Sequence, residues 1–253
     1  MTDLHCHILP QMDDGARDVE TSIELLNVEK KQGVDKLIFT SHFNCNDESV
    51  DSYVTRRADA VREFISVCPP ELISCFKFKL GAEVYFSPEL QNMDLAPLCF
   101  TDTGYLLLEL PFTVSWRPQF LNETLYEISC SGITPIIAHV ERYPYILDDL
   151  TQIYGWVEAG YLVQTNAATL MRGDKMSALM MKLIKWDLVQ LVATDAHSLN
   201  RRPPNLEVAL AAVSSKLGDA TRSRLIKNGE LVFNNYEIDV DPYCPRKVLG
   251  TWK

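Results

Sequence analysis

Short apolar runs alternate along the chain with longer stretches whose apolar residues recur at helical spacing. The first run ends at His5-Cys6-His7. Asp18 then suits the N-cap of a helix carrying Val19, Ile23 and Leu26, with Gly33 at its stop. Lys36 to Ser41 reads as the second strand, and the helix bearing Val54, Ala58, Val61 and Ile65 ends at Pro69-Pro70. Further strands are expected within Phe76 to Phe86, at Tyr105 to Leu110, Pro135 to His139, Tyr161 to Asn166 and Leu188 to Thr194. The helices between them carry Leu121, Leu125 and Ile128, then Leu147, Leu150, Tyr154 and Val157, then Met176, Leu179, Met180 and Leu183. The last two helices are expected near 205–217 and 220–228, stopped at Asn228-Gly229.

Seven mostly apolar strands alternating with helices predict a parallel α/β sheet buried on both faces. An open sheet gathers its site at one crevice from a few strands, whereas a barrel brings every strand's C-terminal end to one mouth. Candidate functional residues end six of the seven strands, which favours a TIM-like (β/α)7 barrel. It is expected over residues 1–235 as a single domain, with an irregular, Pro-containing tail over 236–253 packed on it.

The chain has 253 residues, 47% of them apolar, enough for one large core. Its net charge of -10 argues against a nucleic-acid-binding face, which needs clustered Lys and Arg. No apolar run nears the ~18 residues that read as a membrane span. The seven cysteines are scattered without Cys-x-x-Cys spacing, which fits reduced thiols and a cytoplasmic protein.

All five histidines lie at or just past a predicted strand end: His5, His7, His42, His139 and His197. Glu83, Glu109 and Asp195 occupy equivalent places, and Asp14 lies in the first loop. One such group usually has a structural explanation. Nine converging on one mouth do not, because four carboxylates crowded together raise one another's pKa unless cations join them. Nine N and O ligands exceed the needs of one ion, and their mixture suits Mn, Fe or Zn over Ca or Mg. Cys6 should point away, toward the helix layer. Arg142 follows His139 by three residues and Arg202 follows His197 by five, with Arg201 beside it. Planar guanidinium groups next to metals suit phosphate recognition. Phosphoester hydrolysis follows, with metals polarising the phosphoryl oxygens and supplying a hydroxide nucleophile.

The motifs His5-Cys6-His7, Asp13-Asp14-Gly15-Ala16, Thr40-Ser41-His42, Gly81-Ala82-Glu83, His139-Val140-Glu141-Arg142-Tyr143, Thr165-Asn166-Ala167 and Thr194-Asp195-Ala196-His197, with Arg202-Pro203-Pro204, resemble the PHP (polymerase and histidinol phosphatase) superfamily. Within it they look most like the manganese-dependent protein tyrosine phosphatases of bacterial capsule and exopolysaccharide loci. The resemblance implies a distorted seven-stranded barrel and three metals, most often Mn²⁺, held by the nine residues above. It implies phosphate-binding roles for Arg142 and Arg202. The substrate it implies is a phosphotyrosine protein, the tyrosine-rich tail of a capsule-assembly kinase. Phe43 stands where relatives often have a second histidine, which bears on access to the mouth or on a proton donor. Alternatives are another PHP phosphoesterase, acting on histidinol phosphate or nucleotides, or a non-catalytic metal-binding regulatory module. A cysteine-based mechanism does not fit, since no cysteine has Arg six positions on.

Overall fold

The computed structural model describes residues 1–112, 118–248 and 250–253. Nine strands make up the barrel wall, all paired in parallel: β1 (Thr2–Cys6), β2 (Lys36–Phe39), β3 (His42–Phe43), β4 (Lys77–Leu80), β5 (Glu83–Tyr85), β6 (Tyr105–Glu109), β7 (Thr134–Ile137), β8 (Leu162–Asn166) and β9 (Leu191–Ala193). They fill seven staves, because the second and third are each broken, at Thr40-Ser41 and at Gly81-Ala82. The breaks split the wall into a three-stranded sheet, β1-β2-β4, and a curled six-stranded one, β3-β5-β6-β7-β8-β9.

Closure comes from the segment after β9. His7 N–H donates to the Ala196 carbonyl at 2.8 Å, and Asp195 N–H to the His5 carbonyl at 2.8 Å. Asp3 locks the same seam by accepting from the backbone N–H and the hydroxyl of Thr194. The register of β1 slips by one residue: Asp3 faces Leu37 and Cys6 faces Phe39, three steps against two. Cys6 packs with Leu37 and Phe39 in the outer core, on the helix side as the alternation argument expects.

Two apolar cores result. Leu4, Ile38, Leu107, Ile136, Leu162 and Leu191 fill the barrel interior together with Val232 and Phe233 of the last helix. The outer core lies between the strands and the covering helices. Each fully buried Leu or Ile contributes ~1.5–3 kcal/mol, so the interior plug holds the lower barrel rigid beneath the polar mouth.

Two helix boundaries differ from expectation. The last helix runs from Asp219 to Phe233, straight through Asn228-Gly229. Gly229 is not a stop: it packs against β1, where an added Cβ would lie 3.5 Å from Thr2. Close helix-to-strand approach explains the glycine. The expected Leu147–Val157 helix is two, Pro144–Leu147 and Leu150–Glu158, because Asp149 caps the second by accepting from Thr151 N–H. Phe43 is fully buried and packs edge-on against Tyr53, so it neither borders the mouth nor stands in for a proton donor.

Residues after Phe233 return to the barrel surface. Tyr243 stacks on Trp186 with ring centroids 5.3 Å apart and its N–H donates to the Trp186 carbonyl, while Ile238 packs against the interior core. Among the described residues, no helix is long and apolar enough to cross a membrane.

Candidate metal and phosphate site

At the upper end of the barrel, the nine residues singled out by position form one connected cluster. Glu83, at the start of β5 and wholly buried, is its hub. Its Oε2 lies 3.2 Å from His5 Nε2, 3.1 Å from His7 Nε2 and 3.1 Å from His42 Nδ1, while Oε1 is 2.7 Å from His139 Nε2. Glu109 Oε1 sits 3.5 Å from His139 Nε2. Asp195 Oδ1 lies 3.4 Å from His5 Nε2 and 3.3 Å from His197 Nδ1. Asp14, on the exposed lip, places Oδ1 3.2 Å from His197 Nε2 and 3.5 Å from His42 Nε2.

Three overlapping groups have ligand atoms close enough to share an ion: His7, Asp14, His42 and His197; His5, His7, Glu83 and Asp195; and His42, Glu83 and Glu109. His139 adjoins the third through both glutamates. A cation fits this arrangement on a separate observation. Glu83 Oε2, Asp195 Oδ1 and His197 Nε2 are all buried without a hydrogen-bond partner, a cost proteins rarely leave uncompensated.

Ring orientations fit the same role. His197 Nδ1–H donates to the Asp195 carbonyl at 2.8 Å, leaving the Nε2 lone pair free, and burial and the His7 charge hold its pKa down to about 3. His7 Nδ1 meets Asp13 Oδ2 at 2.8 Å, which turns Nε2 inward. His139 Nδ1 meets the Tyr143 hydroxyl at 3.1 Å, turning its Nε2 onto Glu83. Burial works against charge on His5, yet Glu83 and Asp195 raise its pKa; at His42, Asp14 and Glu83 do the same. Protons therefore compete with cations for these nitrogens. The backbone is strained where two site residues leave their strands, with φ of 29° at His139 and 54° at Asp195.

Several supporting residues were not legible as such. Asp13 is the most consequential, bonding His7 and also accepting from the backbone N–H of His42 at 2.9 Å and of Gly15 at 2.9 Å. It remains ionised despite burial because His7 and His42 lower its pKa. Gly15 allows the loop to cross so closely that a Cβ there would lie 2.2 Å from the His7 carbonyl oxygen. The sixth stave, without an expected ligand, supplies Gln164, whose Oε1 accepts from His139 N–H at 2.7 Å, and Asn166, whose Nδ2 donates to Asp195 Oδ2 at 2.8 Å. The signals available were the polar run Gln164-Thr165-Asn166 in a buried strand and the place of Thr165-Asn166-Ala167 among the family-like motifs, neither of which names a role. We predict that Asp13→Asn weakens metal binding ~10–100-fold while the fold survives, because the carboxylate that orients His7 through Nδ1 is lost. Titration of the metal-free protein with Mn²⁺ measures it, and unchanged affinity would count against this role.

Arg142 and Arg202 converge on the cluster from its open side. Arg142 Nη2 donates to Asp195 Oδ2 at 2.6 Å; Arg202 Nη2 donates to Asp14 Oδ2 at 2.8 Å, with Nη1 3.5 Å from Asp195 Oδ2. Arg201 is exposed, with no bond to the cluster among the described residues. Phe112, about half exposed, lies across the mouth with its ring 6.3 Å from that of His139.

Residues 1–234 match the family model described as capsular polysaccharide synthesis, CpsB/CapC. The chain belongs to this family. Among CpsB/CapC relatives, the tyrosine-protein phosphatase YwqE of Bacillus subtilis is 32% identical over 99% of both chains. The tyrosine-protein phosphatase CpsB of Streptococcus pneumoniae is 29% identical over 86% of this chain and 91% of its own. A crystal structure from work on these two proteins, described as unique metal-dependent tyrosine phosphatases, superposes with a TM-score of 0.85 at 30% identity, covering 98% of this chain and all of that one. The CpsB/CapC match thus spans the whole barrel and every residue of the cluster.

Proposed function

We propose that this protein is a metal-dependent protein tyrosine phosphatase. The observation that carries the reading is the nine-residue cluster with its three unpartnered buried atoms, flanked by Arg142 and Arg202, in a chain of the CpsB/CapC family. His5, His7, Asp14, His42, Glu83, Glu109, His139, Asp195 and His197 would hold two or three divalent ions. The mixed imidazole and carboxylate set suits Mn, Fe or Zn, and the resemblance to manganese-dependent phosphatases favours Mn²⁺ among them. Ions held there supply Lewis-acid polarisation of phosphoryl oxygens and lower the pKa of water.

The chain's own residues do the rest. Arg142 and Arg202 accept the phosphate through paired N–H donors and balance the charge that develops as the phosphoester bond breaks. Phe112 offers an aromatic face for the tyrosine ring, and Asp13, Gln164 and Tyr143 hold the imidazoles in orientation. The substrate we favour is the phosphorylated tyrosine-rich tail of a capsule or exopolysaccharide assembly kinase. We take residues 1–235 as the catalytic barrel and 236–253 as a tail packed on it, and place the protein in the cytoplasm, where its seven free thiols fit.

Chelation should abolish turnover of a phosphotyrosine peptide, and Mn²⁺ should restore it better than Mg²⁺. The same preparation is assayed on histidinol phosphate and short single-stranded DNA. A preference for either would overturn the substrate assignment, and metal binding without turnover of any of them would favour a regulatory module.

A further inference from the structure

A pocket adjoins Arg142 and Arg202, which form part of its wall. Its volume is about 490 Å³, and four arginines line it: Arg142, Arg172, Arg201 and Arg202. In a chain of net charge -10 such a concentration of positive charge needs an explanation. The carboxylate of Glu141, also in the wall, is occupied by the hydroxyls of Thr165 and Thr169 and by Asn166 N–H, each at 2.9 Å. Arg142 and Arg202 are engaged with Asp195 and Asp14. Two guanidinium groups remain. Among the described residues, exposed Arg172 is held by Thr169 Oγ1 at 3.3 Å and by Asp174 at 3.6 Å, and Arg201 has no ion-pair partner.

The two exposed arginines come from different places, one after the short helix Ala167–Met171 and the other from the loop after His197. Both reach one cavity that shares Arg142 and Arg202 with the cluster. A substrate whose phosphate engaged those shared arginines would have a neighbouring side chain beside this pocket.

We propose that the pocket is a subsite for a second anionic side chain of the substrate, lying close in sequence to the phosphotyrosine being hydrolysed. This rests on the phosphotyrosine phosphatase reading. The shared chemistry is an anion, from a carboxylate or from a second phosphotyrosine. Acidic flanks that the overall charge of the chain would repel are thereby drawn in at the one place where they help positioning.

The test compares the Mn²⁺-loaded enzyme with its Arg172→Ala, Arg201→Ala double variant on three peptides. They carry one phosphotyrosine flanked by Gln, by Glu, or by a non-hydrolysable phosphotyrosine mimic. The wild type should show a KM ~3–10-fold lower on at least one anionic peptide than on the Gln peptide, in line with a partly exposed charge pair. The double variant should bring that ratio to about one, with the metal content of the wild type. Preference for the Glu peptide assigns the carboxylate, and preference for the mimic assigns the second phosphate. Turnover of all three peptides with equal KM would overturn the subsite alone. A preference that survives in the double variant would also overturn it. No turnover of any phosphotyrosine peptide would overturn the underlying reading, and the subsite with it.

Discussion

Glu83→Gln is expected to strip at least one metal from the protein and to lower phosphatase activity by on the order of a thousandfold or more, the loss of several kcal/mol of electrostatic stabilisation. The substitution keeps shape and volume at a wholly buried position, so the apolar cores are untouched. What changes is the charge at a carboxylate within 3.2 Å of three imidazoles through one oxygen and within 2.7 Å of a fourth through the other. Those imidazoles hold the Glu83 carboxyl ionised against the cost of burial, with its pKa well below the usual range. An amide cannot serve several cations in that way, because it offers one neutral oxygen and a donor group. Elemental analysis of the purified variant measures the metal, and circular dichroism checks the fold. Full occupancy with full activity would remove Glu83 as the hub.

Much of this centre was legible because barrel geometry turns sequence position into spatial position. A residue at the C-terminal end of any parallel stave reaches the same mouth, so His5, His42, Glu109 and Asp195 could be grouped without knowing distances. Strand breaks were less visible. Thr40-Ser41 and Gly81-Ala82 interrupt runs whose apolar pattern reads as continuous, and the breaks place His42 and Glu83 at the upper level of the wall. Asn228-Gly229 misled for a related reason. A glycine that ends a helix and one that permits close packing look alike in sequence, and only the approach of Thr2 distinguishes them.

Supporting residues escaped for a different reason. Asp13 and Asp14 are adjacent carboxylates in one loop, and nothing in their order says which faces an imidazole from behind and which enters the cluster. The structure separates them by burial: Asp13 is enclosed beneath Gly15, while Asp14 reaches over the lip to His42, His197 and Arg202. Gln164 and Asn166 act through partners 25 and 29 residues away, His139 and Asp195, so no local spacing announces them. The same holds for Phe43, whose place beside His42 suggested the mouth although its side chain turns into the core against Tyr53.

Arg142→Ala should lower turnover at least tenfold and leave metal content nearly unchanged, since losing one preorganised charge partner typically costs ~10²–10³ in rate when the partner is a buried donor and less at this half-open position. Arg142 bonds the outer oxygen of Asp195, Oδ2, while the inner one, Oδ1, faces His5 and His197. Asn166 also donates to that outer oxygen, so Asp195 remains oriented when the guanidinium is removed. Arg202 lies 3.5 Å from the same oxygen and is anchored independently by Asp14. On the proposed reading the two arginines would serve one phosphate from opposite carboxylates, so their effects should fall short of additive: the double variant should lose less than the product of the single losses. Arg142→Lys keeps the charge and forfeits the paired donors, so it should recover only part of the activity. Steady-state kinetics on a phosphotyrosine peptide, with metal analysis of each variant, separates the possibilities. Undiminished activity would exclude Arg142 from phosphate binding, and loss of metal in Arg142→Ala would recast it as a residue that positions Asp195.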